Sequence, residues 1–192
     1  MRIALATGNR DKAAELTDLL GGAEVSTAPE GFDAEETGTT LFQNALIKAQ
    51  ALRAADRSDA TVVGDDSGLH VHALGGRPGV FSSRYAGPEA TDDDNCRRLL
   101  EELEGAEDRS AAFACVLVAL PSAGGMLIAC GTCPGQIPEA QRGAGGFGYD
   151  PVFVPRGGER SMAEMTAAEK HAISHRGRAG RRLAALLGLE AA

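Results

Sequence analysis

Tryptophan is absent from this 192-residue chain, tyrosine occurs twice, and aromatic residues make up 4% of it. Positive charge is also short: 19 Lys and Arg stand against 27 Asp and Glu, a formal net charge of −8. That balance argues against general binding to nucleic acid or to an anionic membrane, while leaving room for a local cationic pocket. No apolar run reaches the length of a membrane span. The N-terminus opens directly into Arg2-Ile3-Ala4-Leu5-Ala6, without the apolar core or cleavage site of a secretion signal, so a cytoplasmic protein is expected. The four cysteines do not make a zinc site. Cys130 and Cys133 match C-x-x-C, and His171 and His175 are four apart, but the gap between the pairs is too long and no second C-x-x-C exists. Cys130 lies in a strand-like segment, where residues three apart face opposite sides, so the expectation is reduced thiols. A phosphate-binding G-x-x-x-x-G-K-[ST] loop is missing too.

What the chain does contain centres on Thr61-Val62-Val63-Gly64-Asp65-Asp66-Ser67-Gly68-Leu69. Val62 and Val63 suit a buried strand, and the glycines allow a sharp turn or a close approach to a ligand. The two carboxylates are then expected at a strand end, a common place for ligands in α/β sheets. Adjacent acids repel unless something positive joins them, and Mg²⁺ bound through one or two carboxylates and a substrate phosphate meets that need. An acidic turn that merely caps a strand is the competing explanation.

Around this stretch the pattern is strand, loop, helix. Ile3 to Ala6 reads as a buried strand, Thr7-Gly8-Asn9-Arg10-Asp11-Lys12 as a loop, and Ala13, Leu16, Leu19 and Leu20 as a helical stripe stopped by Gly21-Gly22. Free N–H groups at such a helix start favour an anion. Lys12 opposes the helix dipole there, a conflict that a bound phosphate would remove. Glu24 to Ala28 can form a second strand. Thr40 with Gln43 is a capping box, and its helix carries Asn44 and Lys48 four apart on one stripe, for which a solvated helix face is the competing explanation. Thr91 with Asp92, Asp93 and Asp94 starts a helix, and Leu99, Leu100 and Leu103 face a core. Ala111–Leu120 and Met126–Cys130 are apolar strands joined by a turn, which makes a mixed sheet the expectation. In Gly143 to Pro151, glycines surround Phe147 and Tyr149. Such a loop can lay a ring against a flat base while Asp150 bonds the base edge. Thr166 with Glu169 is another capping box. The cluster Lys170, His175, Arg176, Arg178, Arg181 and Arg182 is the main basic patch of an acidic chain.

Seven stretches taken in order resemble one family: Thr7-Gly-Asn9 with Lys12, Glu35-Glu-Thr-Gly38, Asn44-Ala-Leu-Ile-Lys48-Ala, Asp65-Asp-Ser-Gly-Leu69, Leu74-Gly-Gly-Arg-Pro-Gly79, Gly146-Phe-Gly-Tyr-Asp-Pro151 and Glu169-Lys-His-Ala-Ile-Ser-His-Arg-Gly177. These are the noncanonical purine nucleoside triphosphate pyrophosphatases, also called inosine/xanthosine triphosphate pyrophosphatases. The resemblance covers essentially the whole chain. It implies an α/β fold, an elongated mixed β-sheet flanked by helices, forming one two-lobed domain over residues 1–192 with the active site in the cleft between the lobes. It implies hydrolysis of ITP, dITP and XTP to the monophosphate and pyrophosphate, Mg²⁺ dependence with Mn²⁺ as the candidate substitute, and a homodimer, the closing helix and the hairpin being the candidate surfaces. By motif, Asp66 resembles the general base and a metal ligand, Glu35 a second metal carboxylate, and Asp65 a helper at the ion. Thr7, Gly8, Asn9, Arg10, Asp11 and Lys12 resemble the triphosphate loop, and Ser67 a substrate contact. Phe147, Gly148, Tyr149 and Asp150 resemble the base and sugar pocket, and Lys170, His175 and Arg176 the residues that distinguish a 6-oxo purine. Gln43 stands where an acidic residue is expected, at a capping position that Gln also serves. Two enzymatic alternatives are a haloacid-dehalogenase-like phosphatase, which needs D-x-D where this strand has adjacent acids, and a related pyrophosphatase of pyrimidine or modified nucleotides. The non-enzymatic alternative is a regulator that binds the nucleotide without consuming it.

Overall fold

The computed structural model describes residues 1–56 and 58–189. Six strands form one mixed sheet in the order β2-β1-β3-β4-β5-β6. They are β1 (Arg2–Leu5), β2 (Glu24–Thr27), β3 (Thr61–Val71), β4 (Ser110–Leu120), β5 (Leu127–Gln136) and β6 (Val154–Pro155). β1 pairs in parallel with both β2 and β3, whereas β5 and β6 are antiparallel. The helices are α1 (Arg10–Leu19), α2 (Leu41–Ala55), α3 (Asp92–Glu102), α4 (Ala167–Ile173) and α5 (His175–Leu186). Among the described residues no helix is long and apolar enough to cross a membrane.

The chain divides into two compact units. The first comprises residues 1–66, 115–131 and 175–192, and the second residues 67–114 and 132–174. In the first, the side-chain alternation of the strands builds two cores. Ile3, Leu5, Val63 and Leu117 pack with Leu16 and Leu20 of α1 and with Ala179 and Leu183 of α5. Ala4, Ala6, Val62 and Val118 pack with Ala45, Ala49 and Leu52 of α2. One sheet face thus carries α1 and α5, and the other carries α2. In the second unit, Leu99 and Leu103 of α3 join Leu69, Phe113, Ile137, Phe153 and Met162 in a single core. Phe113 and Phe153 meet there with ring centroids 4.6 Å apart.

Local signals explain the ends of these helices. Thr40 and Gln43 close a reciprocal capping box on α2, as Thr166 and Glu169 do on α4. Gln43 accepts from the N–H groups of Thr39 and Thr40, so an acid is not needed at that position. The cysteines are free; Cys130 is exposed and Cys133 buried, as residues on opposite sides of β5 must be. Exposed apolar side chains include Leu186 of α5, Met126 just before β5 and Ile128 on β5.

One expectation changes at β3. The strand does not stop at the paired acids but runs on to Val71, so Asp65 and Asp66 lie in mid-strand. Gly64 marks a close approach rather than a turn. A Cβ there would sit 2.1 Å from the Ala45 carbonyl oxygen, so any side chain would push α2 off the strand.

Candidate active site

The alternation that sorts Val62 from Val63 also sorts the two carboxylates. Asp65 follows Val63 by two and belongs to the face of α1 and α5; Asp66 belongs to the face of α2. The acids expected to share one cation are divided instead between two sets of basic side chains.

On its face Asp65 meets Lys12 Nζ at 3.3 Å and Arg176 Nε at 3.5 Å. Arg176 also donates to Glu15 Oε2 at 2.6 Å. Burial opposes the charge of Asp65, but Lys12, Arg176 and Lys48 outweigh it and hold the carboxyl below the usual range. Burial likewise works against the Arg176 charge, which Asp65 and Glu15 more than restore. The placement follows from the helix starts. Asn9 caps α1 by accepting from the Lys12 N–H at 2.9 Å, which sets Lys12 in the first turn, as expected, and Arg10 and Asp11 with it instead of in the loop. Arg176 occupies the first turn of α5. Both cations oppose the dipoles of their helices, and the carboxylates of Asp65 and Glu15 answer them.

On the other face Asp66 accepts from Asn44 Nδ2 at 3.2 Å and meets Lys48 Nζ at 3.4 Å. Lys48 also donates to Glu36 at 2.8 Å. Asn44 and Lys48 are buried, not solvated; the stripe four apart faces the sheet. Burial raises the pKa of Asp66, Lys48 and Lys12 pull against it, and Glu36 and Asp65 add to the rise. A carboxylate so placed is a stronger base than an exposed aspartate. Lys48 is disfavoured by its own burial, yet Asp65, Asp66 and Glu36 together raise its pKa.

The acidic loop brings Glu36 to Lys48, whereas Glu35 is exposed. Among the described residues no three His, Cys, Asp or Glu side chains converge on one point as a protein-built metal cage. Thr7, Asn9 and Arg10, with Thr27 to Phe32, line a depression of about 370 Å³ at the carboxyl ends of β1 and β2. Thr7 Oγ1 accepts from the Asn9 N–H at 3.2 Å, and Gly8 to Asp11 are exposed. His175 is buried at the start of α5.

The second unit holds the other expected residues. Ser67 is half-buried on β3. Asp150, expected to bond a base edge, is turned inward: it accepts from the Phe147 N–H at 2.9 Å and from Lys170 Nζ at 2.6 Å. Tyr149 is buried, its hydroxyl donating to the Ser82 carbonyl at 2.8 Å. The Gly148 N–H donates to Asp92 of α3 at 2.6 Å. What the loop presents is the Phe147 ring with the Lys170 ammonium 4.3 Å from its centroid.

Glu15, Glu36, Asn44, Lys48 and Asp92 were not foreseen as parts of these groups. The signals for Asn44 and Lys48 are their spacing, which a solvated stripe shares, and their place in one of the seven stretches that carry the family resemblance.

The profile of the Ham1 family matches residues 3–186. This chain belongs to the Ham1 family. It is 47% identical over 194 aligned residues to the dITP/XTP pyrophosphatase of Methylococcus capsulatus, covering 97% of this chain and 96% of that one. It is 43% identical to the enzyme of the same name from Coxiella burnetii, at 97% and 96% coverage. Among solved structures, the Ham1 protein of Staphylococcus aureus matches with a TM-score of 0.87 and 37% identity over 98% of both chains. The Ham1 relatives thus share the α/β mixed-sheet fold from end to end, and those compared by sequence carry the name of a nucleoside triphosphate pyrophosphatase.

Proposed function

We propose that this enzyme hydrolyses noncanonical purine nucleoside triphosphates (dITP, ITP and XTP) to the monophosphate and pyrophosphate, with Asp66 as general base. The observation that carries the reading is the buried Asp66 carboxylate, held by Asn44 and Lys48 and raised in pKa by its burial. Two relatives named dITP/XTP pyrophosphatase, at 47% and 43% identity, support the substrate class. Asp66 takes the proton of an attacking water, and Lys48 beside it steadies the carboxylate. The Thr7 to Asp11 segment, exposed from Gly8 on, and the start of α1 receive the phosphates through backbone N–H groups. Lys12, shared with Asp65, adds a cation to that end. Water is assigned to the α-phosphorus. Labelled water oxygen recovered in pyrophosphate instead of monophosphate would reject that assignment.

The donors present suit a hard cation. The four carboxylates Glu15, Glu36, Asp65 and Asp66 face the three cations Lys12, Lys48 and Arg176, so a triphosphate would arrive at a group already short of positive charge. Mg²⁺ needs no protein cage, since one or two carboxylates and substrate phosphates complete its shell. Asp66 with Glu36 would hold it, with Mn²⁺ as the alternative, and the ion would neutralise phosphate charge. Glu36 takes the place first given to Glu35, and Asp65 is committed to Lys12 and Arg176.

Phe147 and Lys170 are the candidates for meeting the purine, the ring by stacking and the ammonium by donating to O6. A homodimer is proposed, through the closing helix or the hairpin, where Leu186, Met126 and Ile128 are exposed, and sedimentation tests it. The deciding experiment is pyrophosphate release from a nucleotide panel with Mg²⁺ and with chelator. Metal-dependent turnover of ITP, dITP and XTP far above ATP, GTP, CTP and UTP is expected. Turnover of pyrimidines, or binding without turnover, would overturn the reading.

A further inference from the structure

We propose that Asn44 is a positioning residue for the Asp66 carboxylate, and that Gly38 is the other half of the same device. The inference rests on the reading of Asp66 as the base. Asn44 is fully buried in α2. Its Nδ2 donates to Asp66 Oδ2 at 3.2 Å, and its Oδ1 accepts from the Gly38 N–H at 2.8 Å. One helical turn on, Lys48 Nζ lies 3.4 Å from Asp66 Oδ1 and 2.8 Å from Glu36. The two oxygens of Asp66 therefore have different partners. Both partners come from α2, and each is anchored on the segment between Glu36 and Gly38. A contact on one oxygen would leave the carboxylate free to pivot, whereas contacts on both set its plane.

The side-chain chemistry is selective. Asn offers a donor to Asp66 and an acceptor to Gly38 at once; Asp would offer two acceptors, and an aliphatic side chain neither. Gly38 is selective as well. A Cβ on it would lie 2.5 Å from Asn44 Oδ1 and 2.7 Å from Gln43 Cβ, so a larger residue displaces the amide that its own N–H holds. The acidic loop thereby acts on the base without touching it.

The test measures kcat, KM and melting temperature with ITP for Asn44→Ala and Asn44→Asp. Asn44→Ala is also placed in the Gly38→Ala and Asp66→Asn backgrounds. Loss of one hydrogen bond to a charged group should lower kcat about tenfold in Asn44→Ala, with KM unchanged. Asn44→Asp should fall further, because it turns an acceptor on a carboxylate. Gly38→Ala should reproduce the kcat loss, and adding Asn44→Ala to it should cost little more. In the Asp66→Asn background Asn44→Ala should cost nothing more. A wild-type kcat with a lowered melting temperature in Asn44→Ala would reduce Asn44 to a structural tie and overturn the proposal. So would an equal loss in the presence and absence of the Asp66 carboxylate. Wild-type turnover in Asp66→Asn alone would instead remove the base assignment, and this inference with it.

Discussion

Asp65 and Asp150 are both buried carboxylates, 2% and 3% exposed, and their surroundings differ in kind. Asp65 stands in mid-strand between Lys12 of α1 and Arg176 of α5, elements at opposite ends of the sequence. Asp150 stands in a glycine-rich loop, bonded to the Phe147 N–H three residues back and to Lys170 twenty residues on. The first arrangement concentrates charge: four acids and three bases with no aromatic ring among them. The second uses one carboxylate to hold an aromatic ring under an ammonium. A charge-dense group suits phosphate and proton transfer, and a ring with a donor on its face suits a flat heterocycle. The molecule thus offers two chemistries, and substitutions should separate them.

The largest effect should come from Asp66→Asn. Loss of a general base costs ~10²–10⁴-fold in turnover, and it should do so for every nucleotide alike, with the melting temperature kept. A loss confined to some bases would break the division between the two groups. Arg176→Leu should act next, and chiefly on stability. Glu15 and Asp65 would lose the buried cation they share, with Lys12 still beside Asp65; breaking a buried pair typically costs ~3–5 kcal/mol. Denaturant unfolding measures this. An unchanged midpoint with a narrowed ITP-over-ATP ratio would return Arg176 to the base-recognition role that its motif implied. Lys170→Met also takes the ammonium from buried Asp150, so the unfolding midpoint should fall, but its effect on turnover should be of the other kind. Removing one donor should narrow the ITP-over-ATP preference by about tenfold, with pyrophosphate chemistry on ITP retained. An equal loss on both nucleotides would merge the two groups into one.

The legibility of these groups follows sequence distance. The capping boxes at Thr40 and Thr166, the helix start at Thr91, the glycine-rich Phe147 loop and the mixed sheet depend on neighbours or on short spacings, and the sequence shows them. The opposite-face placement of Asp65 and Asp66 was implicit in the two-residue period of a strand. It was hidden by the expectation of a strand end at the carboxylates, since Asp, Ser and Gly are poor strand formers, and burial between α2 and the other helices overrides that preference. Glu15 with Arg176 is harder. The pair spans 161 positions, and nothing in a lone Glu on α1 separates it from a solvated one. Lys48 misleads for a related reason: a lysine four residues after a polar Asn reads as surface until the sheet is laid against it.

Two of the capping boxes differ in charge. Gln43 on α2 and Glu169 on α4 make the same reciprocal bonds, one without charge and one with it. Hydrogen bonds from Arg160 and from the Thr166 N–H and hydroxyl lower the Glu169 pKa from 4.5 to about 2. A carboxylate with a depressed folded-state pKa stabilises the fold above its unfolded value, and that contribution fades as pH falls through the folded one. Glu169→Gln keeps an acceptor for the cap, as Gln43 demonstrates, and gives up only the charge. Its pairing with Arg160 is exposed at both ends, so the effect should be small. The wild type should melt slightly higher than Glu169→Gln above about pH 4.5, and the gap should close as the pH approaches about 2. A gap that persists at the acid end would mean that the shape of the side chain, and not its charge, holds the start of α4 and with it the Lys170 ammonium over Phe147.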